Sequence, residues 1–347
     1  MIEIDGNSEE GGGQILRTAL ALSVITKKPF RIFDIRKERK DSGLKKQHIE
    51  AINTLKKLCN AEVTGDSLGS MELTFDPGVY KPQNIDVDIE TAGSITLLMQ
   101  SLLIPAIRAK KKTSFVIKGG TDVSWSMPID YFKHVFIPHL KKYADIECNV
   151  VKRGYFPKGN GVVEINIRPK ENEQQIICAK QGKLLGIQGI VNASLSLQER
   201  RVAERIAQAA TTECQKIGPV SIKTQYFDSL SDGTGIVVWA VFTETDDADP
   251  IQPIIIGADR LGELHVSAED IGRDCAKKLK DEIFSLCAVD KHCADNLIPY
   301  LGMYGGKIKT SEITAHTRAN IYVTEKFLDV KFLINENKKE IAIIKQQ

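Results

Sequence analysis

Apolar positions in this chain recur in short runs with two alternating periods. Residues 2–5 alternate as a strand, and after Glu9-Glu10-Gly11-Gly12-Gly13 the spacing turns helical through Gln14-Ile15-Leu16-Arg17 to about Ile25, where Lys27-Lys28-Pro29 ends it. Residues 30–35 alternate again, a basic run follows, and a second helix covers 49–58. The order then repeats. Thr91-Ala92-Gly93-Ser94-Ile95 opens an apolar helix to Ile107, residues 113–118 form a strand, 119–122 turn, and 128–140 form a helix. Strands at 146–151 and 162–167 flank a turn at 158–161. A third set comprises a helix at 295–304, a strand at 307–313, a helix at 319–327 and a strand at 328–334. Aligning Gly13-x-Ile15 with Gly93-x-Ile95 gives an internal repeat of about eighty residues, one of architecture with little shared sequence.

Residues 182–285 have a different character: alternation over 184–191, a charged helix at 196–217, strands near 220–226 and 235–243, and a helix at 267–286. The acidic stretch Thr245–Asp249 is expected to be a loop and not a metal site. The pattern predicts an α+β fold. Residues 1–181 and 286–347 form a large domain of three sandwich-like βαβα repeats (about 1–80, 85–170 and 290–347), and 182–285 form a smaller inserted α+β domain.

Length supports that division, because 347 residues exceed one ordinary compact core. Charge narrows the partners. A net charge of +2 gives no global positive field, so any polyanion must be met by a local site. The first residues carry no basic segment before an apolar core, and no run approaches the roughly eighteen apolar residues of a membrane span, so a cytoplasmic protein is expected. Seven scattered cysteines without a Cys-x-x-Cys pair point to reduced thiols and away from structural zinc.

Three stretches carry candidate chemistry. The glycine turn before the first helix leaves N–H groups free at a helix N-terminus, which attracts anions. Gln14 and Arg17, three apart, add a neutral donor and a bidentate cation, while Glu10 sits where a carboxylate holds a divalent metal beside a phosphate. A Gly-rich turn that merely caps a core helix fits the same residues, and both readings stand at this point. Arg36 and Arg39 open a basic run where a strand ends near that turn, a placement suited to phosphate contact, although such runs also occur as solvated loops. His316 falls where a strand gives way to a helix, and a terminus there favours a neutral imidazole able to attack phosphorus.

The combination is specific. Glu10-Gly-Gly-Gly-Gln-Ile-Leu-Arg17, Ile35-Arg-x-x-Arg39, Gly43-Leu-x-x-Gln47-His48, Ala92-Gly-Ser94 with Gln100, Gly119-Gly-Thr-Asp122, Arg153-Gly-Tyr-Phe-Pro-x-Gly-x-Gly161, Ala294-Asp295 and His316-x-x-x-Asn320 occur in one order. Together they closely resemble the RNA 3′-terminal phosphate cyclases over nearly the whole chain. The resemblance implies repeats like the C-terminal domain of bacterial translation initiation factor three and a thioredoxin-like insert. It implies ATP as cosubstrate, Mg²⁺ or Mn²⁺, and an RNA partner ending in a 3′-phosphate. ATP adenylylates a histidine, AMP passes to the RNA phosphate, and the vicinal 2′-OH displaces AMP to leave a 2′,3′-cyclic phosphodiester.

By the same resemblance His316 is the nucleophile and Glu10 the metal carboxylate. Gln14, Arg17, Arg36 and Arg39 surround the phosphates and the RNA end, Gln100, Asp295 and Asn296 belong to the nucleotide pocket, and Pro128 packs on the adenine. His292 stands where bacterial relatives carry tyrosine, which leaves less area to stack on a purine. Two other readings are a non-catalytic cyclase-like ribosome-biogenesis factor, which lacks the histidine, and an enolpyruvyl transferase, which is built from similar repeats. The oligomeric state stays open, a homo-oligomer included.

Overall fold

The computed structural model describes residues 1–9, 12–245, 249 and 253–345. Glu10, and most of the acidic stretch before Pro250, lie outside the described residues.

In chain order the strands are β1 Ile2–Asp5, β2 Phe30–Phe33, β3 Glu62–Thr64, β4 Leu73–Asp76, β5 Asn84–Asp88, β6 Thr113–Gly119, β7 Ala144–Lys152, β8 Gly161–Pro169, β9 Ile176–Cys178, β10 Lys183–Ser194, β11 Val220–Phe227, β12 Thr234–Thr243, β13 Ile254–Leu261, β14 Gly306–Lys309, β15 Val330–Asn335 and β16 Glu340–Lys345. The helices are α1 Gly13–Thr26, α2 Lys46–Cys59, α3 Ile95–Ile107, a short α4 Ile129–Tyr131, α5 Val202–Cys214, α6 Ala268–Phe284, α7 Lys291–Tyr304 and α8 Ala315–Phe327.

Three four-stranded sheets share one plan: β1-β2-β4-β3, β5-β6-β8-β7 and β9-β14-β16-β15. In each the first two strands run parallel, as β1 with β2, β5 with β6 and β9 with β14, and the remaining pairings are antiparallel. The helix expected from the apolar spacing bridges each parallel pair in the first two sheets, as such a connection requires. In the third, β9 is separated from its neighbour β14 by the fourth sheet, β11-β10-β12-β13, with helices α5 and α6 packed on it. That stretch holds its own apolar cluster, centred on Ile187, Val191, Ile206, Val238, Ile256, Cys275 and Leu279.

Several local expectations are corrected by the backbone. Residues 30–35 stop as a strand at Phe33, because Asp34 and Arg36 take left-handed φ values of 53° and 57°. The stretch expected as one helix over 128–140 is α4 followed by a π turn, Phe132–Phe136, and a 3₁₀ turn, Ile137–Leu140. The charged helix expected from Ser196 starts at Val202, after a 3₁₀ turn at Leu195–Leu197.

The helices of the three like sheets pack on one another. α1 is buried from Gly13 to Val24 and packs on α2, α3 and α8, while α7 packs on α8. A helix apolar on nearly every side belongs inside, and α1 is accordingly the hub. Its N-terminal end lines one cavity together with residues from the N-terminal ends of α3, α7 and α8.

Candidate active site

A cavity of about 1110 Å³ opens where those helix ends converge. Gly12, Gly13 and Gln14 come from the start of α1, Ser94 and Leu97 from α3, His292, Asp295 and Asn296 from α7, and His316 from α8. Each terminus carries a partial positive charge, although side-chain caps already take first-turn N–H groups of α3, α7 and α8, so the four together favour an anion. Arg17, Arg36, Arg39, Gln47 and Gln100 line the same space. The loop at residues 123–127, Tyr131, Phe156, Asp259 and Lys278 complete the wall.

The polar side chains are tied into one relay across four helices. Gln14 Nε2 donates to Asn320 Oδ1 on α8 at 3.2 Å, and Arg17 Nη2 donates to Gln14 Oε1 at 2.9 Å. Arg17 Nε donates to Gln100 Oε1 on α3 at 2.5 Å, and Gln100 Nε2 donates to Asn296 Oδ1 on α7 at 2.6 Å. Arg17 is thereby held in place, but none of these bonds neutralises it. Burial and then Arg36 pull its guanidinium down to about 9, and burial followed by Arg39 lowers Arg36 too. A guanidinium keeps its proton in a protein, so the depression expresses first the burial of an unneutralised cation and then repulsion from its neighbours, both of which an incoming anion would relieve.

His316 is the second residue of α8. Thr314 caps that helix, accepting from Thr317 N at 3.0 Å, and both hydroxyls, Thr314 Oγ1 and Thr317 Oγ1, donate to Asp295 Oδ1 at 2.6 Å. Asp295 thus clamps the residues on either side of His316, a part in addition to lining the cavity. Burial raises the Asp295 carboxyl, and the two threonine bonds oppose that rise. The Nδ1 atom of His316 is enclosed by protein. A Cβ built on Gly12 would lie 3.7 Å from Arg39 Nη2 and 4.0 Å from His316 Cε1, so cation and imidazole meet over the start of α1.

The structure therefore gathers Gln14, Arg17, Arg36, Arg39, Gln100, His292, Asp295, Asn296 and His316 around one space. Pro128 is not on the wall: it is buried at the start of α4, and its neighbour Met127 lines the cavity instead.

Other participants were given no role from the sequence, although Gln47 and His48 belong to one of its motifs. His48 is 1% exposed; its Nδ1 accepts from Lys45 N at 3.0 Å, which leaves Nε2 to carry the proton. Burial, then Arg17, Arg36 and Lys45, push His48 down to about 3. Gln47 Oε1 accepts from Ser94 N at 3.1 Å and fixes the start of α3. Asp290, buried, caps α7 by accepting from Cys293 N at 2.9 Å, and also accepts from Tyr131 Oη and, at 2.9 Å, from Gly257 N on β13. This one carboxylate joins the fourth sheet to the cavity, where Lys278 Nζ donates to the Asp259 carbonyl at 3.0 Å. Asp259 is largely buried, and that burial raises its carboxyl.

Four helix ends, three arginines and two histidines around one cavity suit phosphate-rich ligands. A family model described as RNA 3′-terminal phosphate cyclase matches residues 8–334, and the chain belongs to that family of enzymes. It is 42% identical to the RNA 3′-terminal phosphate cyclase of Pyrococcus furiosus, over 100% of this chain and 99% of the relative. Identity to the cyclase of Thermococcus kodakarensis is 44%, over 94% of this chain and 92% of that protein. With the cyclase of Saccharolobus solfataricus it is 43%, over 96% of each.

Proposed function

We propose that this chain converts an RNA 3′-terminal phosphate to a 2′,3′-cyclic phosphodiester, using ATP, through an adenylate on His316. The observation that carries the reading is His316 on the first turn of α8, clamped through Thr314 and Thr317 by Asp295 and facing a cavity rich in arginine. Enclosure of Nδ1 leaves Nε2 as the atom toward the cavity. Nε2 attacks the α-phosphorus of ATP, an N–P bond forms and pyrophosphate leaves. An oxygen of the RNA 3′-phosphate then attacks the same phosphorus and releases the imidazole. Finally the 2′-OH attacks the activated RNA phosphorus, its proton passes to water or a nearby base, and AMP departs.

Each step moves charge onto phosphate oxygens, which is where the helix ends and Arg17, Arg36 and Arg39 act. The vicinal 2′-OH reacts at high effective concentration and restricts the reaction to RNA. Among the described residues no group of three or more His, Cys, Asp or Glu could hold a metal ion. That suits a Mg²⁺ or Mn²⁺ held mostly by phosphate oxygens and water, with the Glu10 carboxylate as protein ligand; it would neutralise phosphate charge. His292 and the Gln100–Asn296 pair serve the nucleoside of ATP. We also read residues 182–285 as an inserted thioredoxin-like domain and the three like sheets as repeats resembling the C-terminal domain of translation initiation factor three. Seven buried, unpaired thiols and the absence, among the described residues, of a helix able to cross a membrane favour the cytoplasm.

The test is incubation with α-labelled ATP and Mg²⁺. We expect an acid-labile, base-stable label that His316→Ala abolishes. A non-catalytic ribosome-biogenesis factor or an enolpyruvyl transferase would take no label, and full labelling of His316→Ala would overturn the assignment.

A further inference from the structure

Trp125 is 98% exposed and Phe156 is 73% exposed, yet both side chains line the arginine-bearing cavity. Large aromatic rings left in water forfeit their burial energy, so their grouping at a charged cavity calls for a ligand face. Trp125 also holds a φ of 65°, a left-handed conformation that costs a bulky residue roughly 1–2 kcal/mol and persists where surrounding structure enforces it. The surroundings do so. Ser126 Oγ donates to the Val123 carbonyl at 2.9 Å, Thr96 Oγ1 to the Met127 carbonyl at 2.7 Å, and Ile129 N to the Thr121 carbonyl at 2.9 Å. The loop carrying Trp125 is therefore tied at both ends while its ring projects outward.

The loop carrying Phe156 is bonded to it directly. Thr121 N donates to the Gly154 carbonyl at 2.9 Å, and Asp122 and Tyr155 form a parallel bridge. Below, buried Arg153 joins Asp122 at 3.0 Å and Asp130 at 2.7 Å, which locks the two loops as one piece. The two rings are thus carried on mutually fixed supports, and Lys158 stands exposed two residues beyond Phe156.

We infer that Trp125 and Phe156 form a stacking platform for the bases of the last nucleotides of a single-stranded RNA, and that this platform guides the 3′-phosphate into the cavity. The inference rests on the cyclase reading above. RNA is favoured over the adenine of ATP because a polymer must leave the cavity through its mouth, where a ring this exposed stands, whereas a mononucleotide is taken up inside, beside His292 and His316. Aromatic faces interleaved with cations bind single strands without sequence preference, in keeping with a substrate defined by its end.

Direct binding tests this. The chain has two tryptophans, and Trp239 is 6% exposed and stacked on His134 at 4.7 Å, so emission from a Trp239→Phe protein reports Trp125. A short single-stranded RNA with a 3′-phosphate is expected to quench it. In an anisotropy titration Trp125→Ala is expected to weaken RNA binding roughly 5- to 150-fold, the equivalent of about 1–3 kcal/mol for one stacked base. Trp125→Phe should restore most of that loss, Phe156→Ala should weaken binding in the same direction, and the loss on RNA should exceed any loss in self-adenylylation. With an oligonucleotide abasic at its last two positions, wild type and Trp125→Ala should bind alike. The platform is refuted by equal RNA affinity in Trp125→Ala, by a loss that persists on abasic RNA, or by equal losses with RNA and ATP. Failure of the wild type to take label on His316 would remove the cyclase reading; labelling with an indifferent Trp125 would remove the platform alone.

Discussion

Gly13→Ala sets two physical effects against each other. Alanine is the better helix former, by up to about 1 kcal/mol inside a helix and less at this first position. Against that, a Cβ on Gly13 would sit 2.5 Å from His48 Nε2 and 2.6 Å from Arg17 Nη1. Neither neighbour is free to swing away: His48 is 1% and Arg17 7% exposed, the first anchored to Lys45 N and the second to Gln14 and Gln100. Overpacking of this kind costs about 1–3 kcal/mol, so the clash outweighs propensity and the variant should lose roughly 0–2 kcal/mol in urea unfolding. The larger consequence falls on the ligand. On the proposed role of Arg17 at the phosphates, displacing it removes a charge-assisted bond worth about 1.5–3 kcal/mol, which corresponds to ATP binding roughly 10- to 150-fold weaker by calorimetric titration. A Gly13→Ala protein more stable than wild type, with unchanged ATP affinity, would show that Arg17 is not wedged against the start of α1 as described.

Three other outcomes are expected. His48 and His139 are depressed to about 3 and about 4, against 6.5 for an unperturbed imidazole, chiefly by burial. Their neutral forms are the folded ones, so the stability they contribute is fully present above about pH 6.5 and falls as pH drops through 6.5 toward 4; the slope is about 1.4 kcal/mol per pH unit for each, checked by urea melts from pH 7 to 4.5. Arg153, 2% exposed in its side chain and the cation for both Asp122 and Asp130, should cost about 3–5 kcal/mol when replaced by methionine, because two buried carboxylates then face each other; a melt unchanged from wild type would refute this. Arg36→Ala and Arg39→Ala are expected to lower turnover on phosphate-ended RNA more than His316 self-adenylylation, and equal losses would put both arginines on ATP.

Legibility in the sequence followed the length of the signal. The long apolar helices α1 and α3 declared themselves by spacing, and with them the turns that open the cavity. Strands of three residues did not: Glu62-Val63-Thr64 and Ile176-Ile177-Cys178 are too short to show a period, and they become strands only because β4 and β14 supply their hydrogen bonds. β13 escaped because Ile254-Ile255-Ile256-Gly257 does not alternate. Among site residues, those with characteristic chemistry beside a glycine turn or a helix start, such as Arg17 and His316, were readable. Asp290 was not, since its partner Tyr131 is 159 residues away and an N-cap carboxylate looks like any other. Lys278 and Asp259 were unreadable for a related reason: they belong to the fourth sheet and its helix, and only tertiary packing brings them to the wall.

That distribution follows from the physics of the site. One helix end offers a fraction of a charge, effective over about a turn, too little to hold a polyphosphate or the crowded anions of a phosphoanhydride. Converging four ends solves this, but ends converge only where separate units pack together, so the binding groups must come from distant parts of the chain. The Asn320–Gln14–Arg17–Gln100–Asn296 relay is the consequence: each bond crosses from one helix to another or braces one that does. Loss of any member frees its neighbours along with itself. Substitutions along the relay should therefore be strongly non-additive, with Gln14→Ala and Gln100→Ala together costing ATP affinity less than the sum of the two alone. Strict additivity in that cycle would mean that the four helix ends act independently.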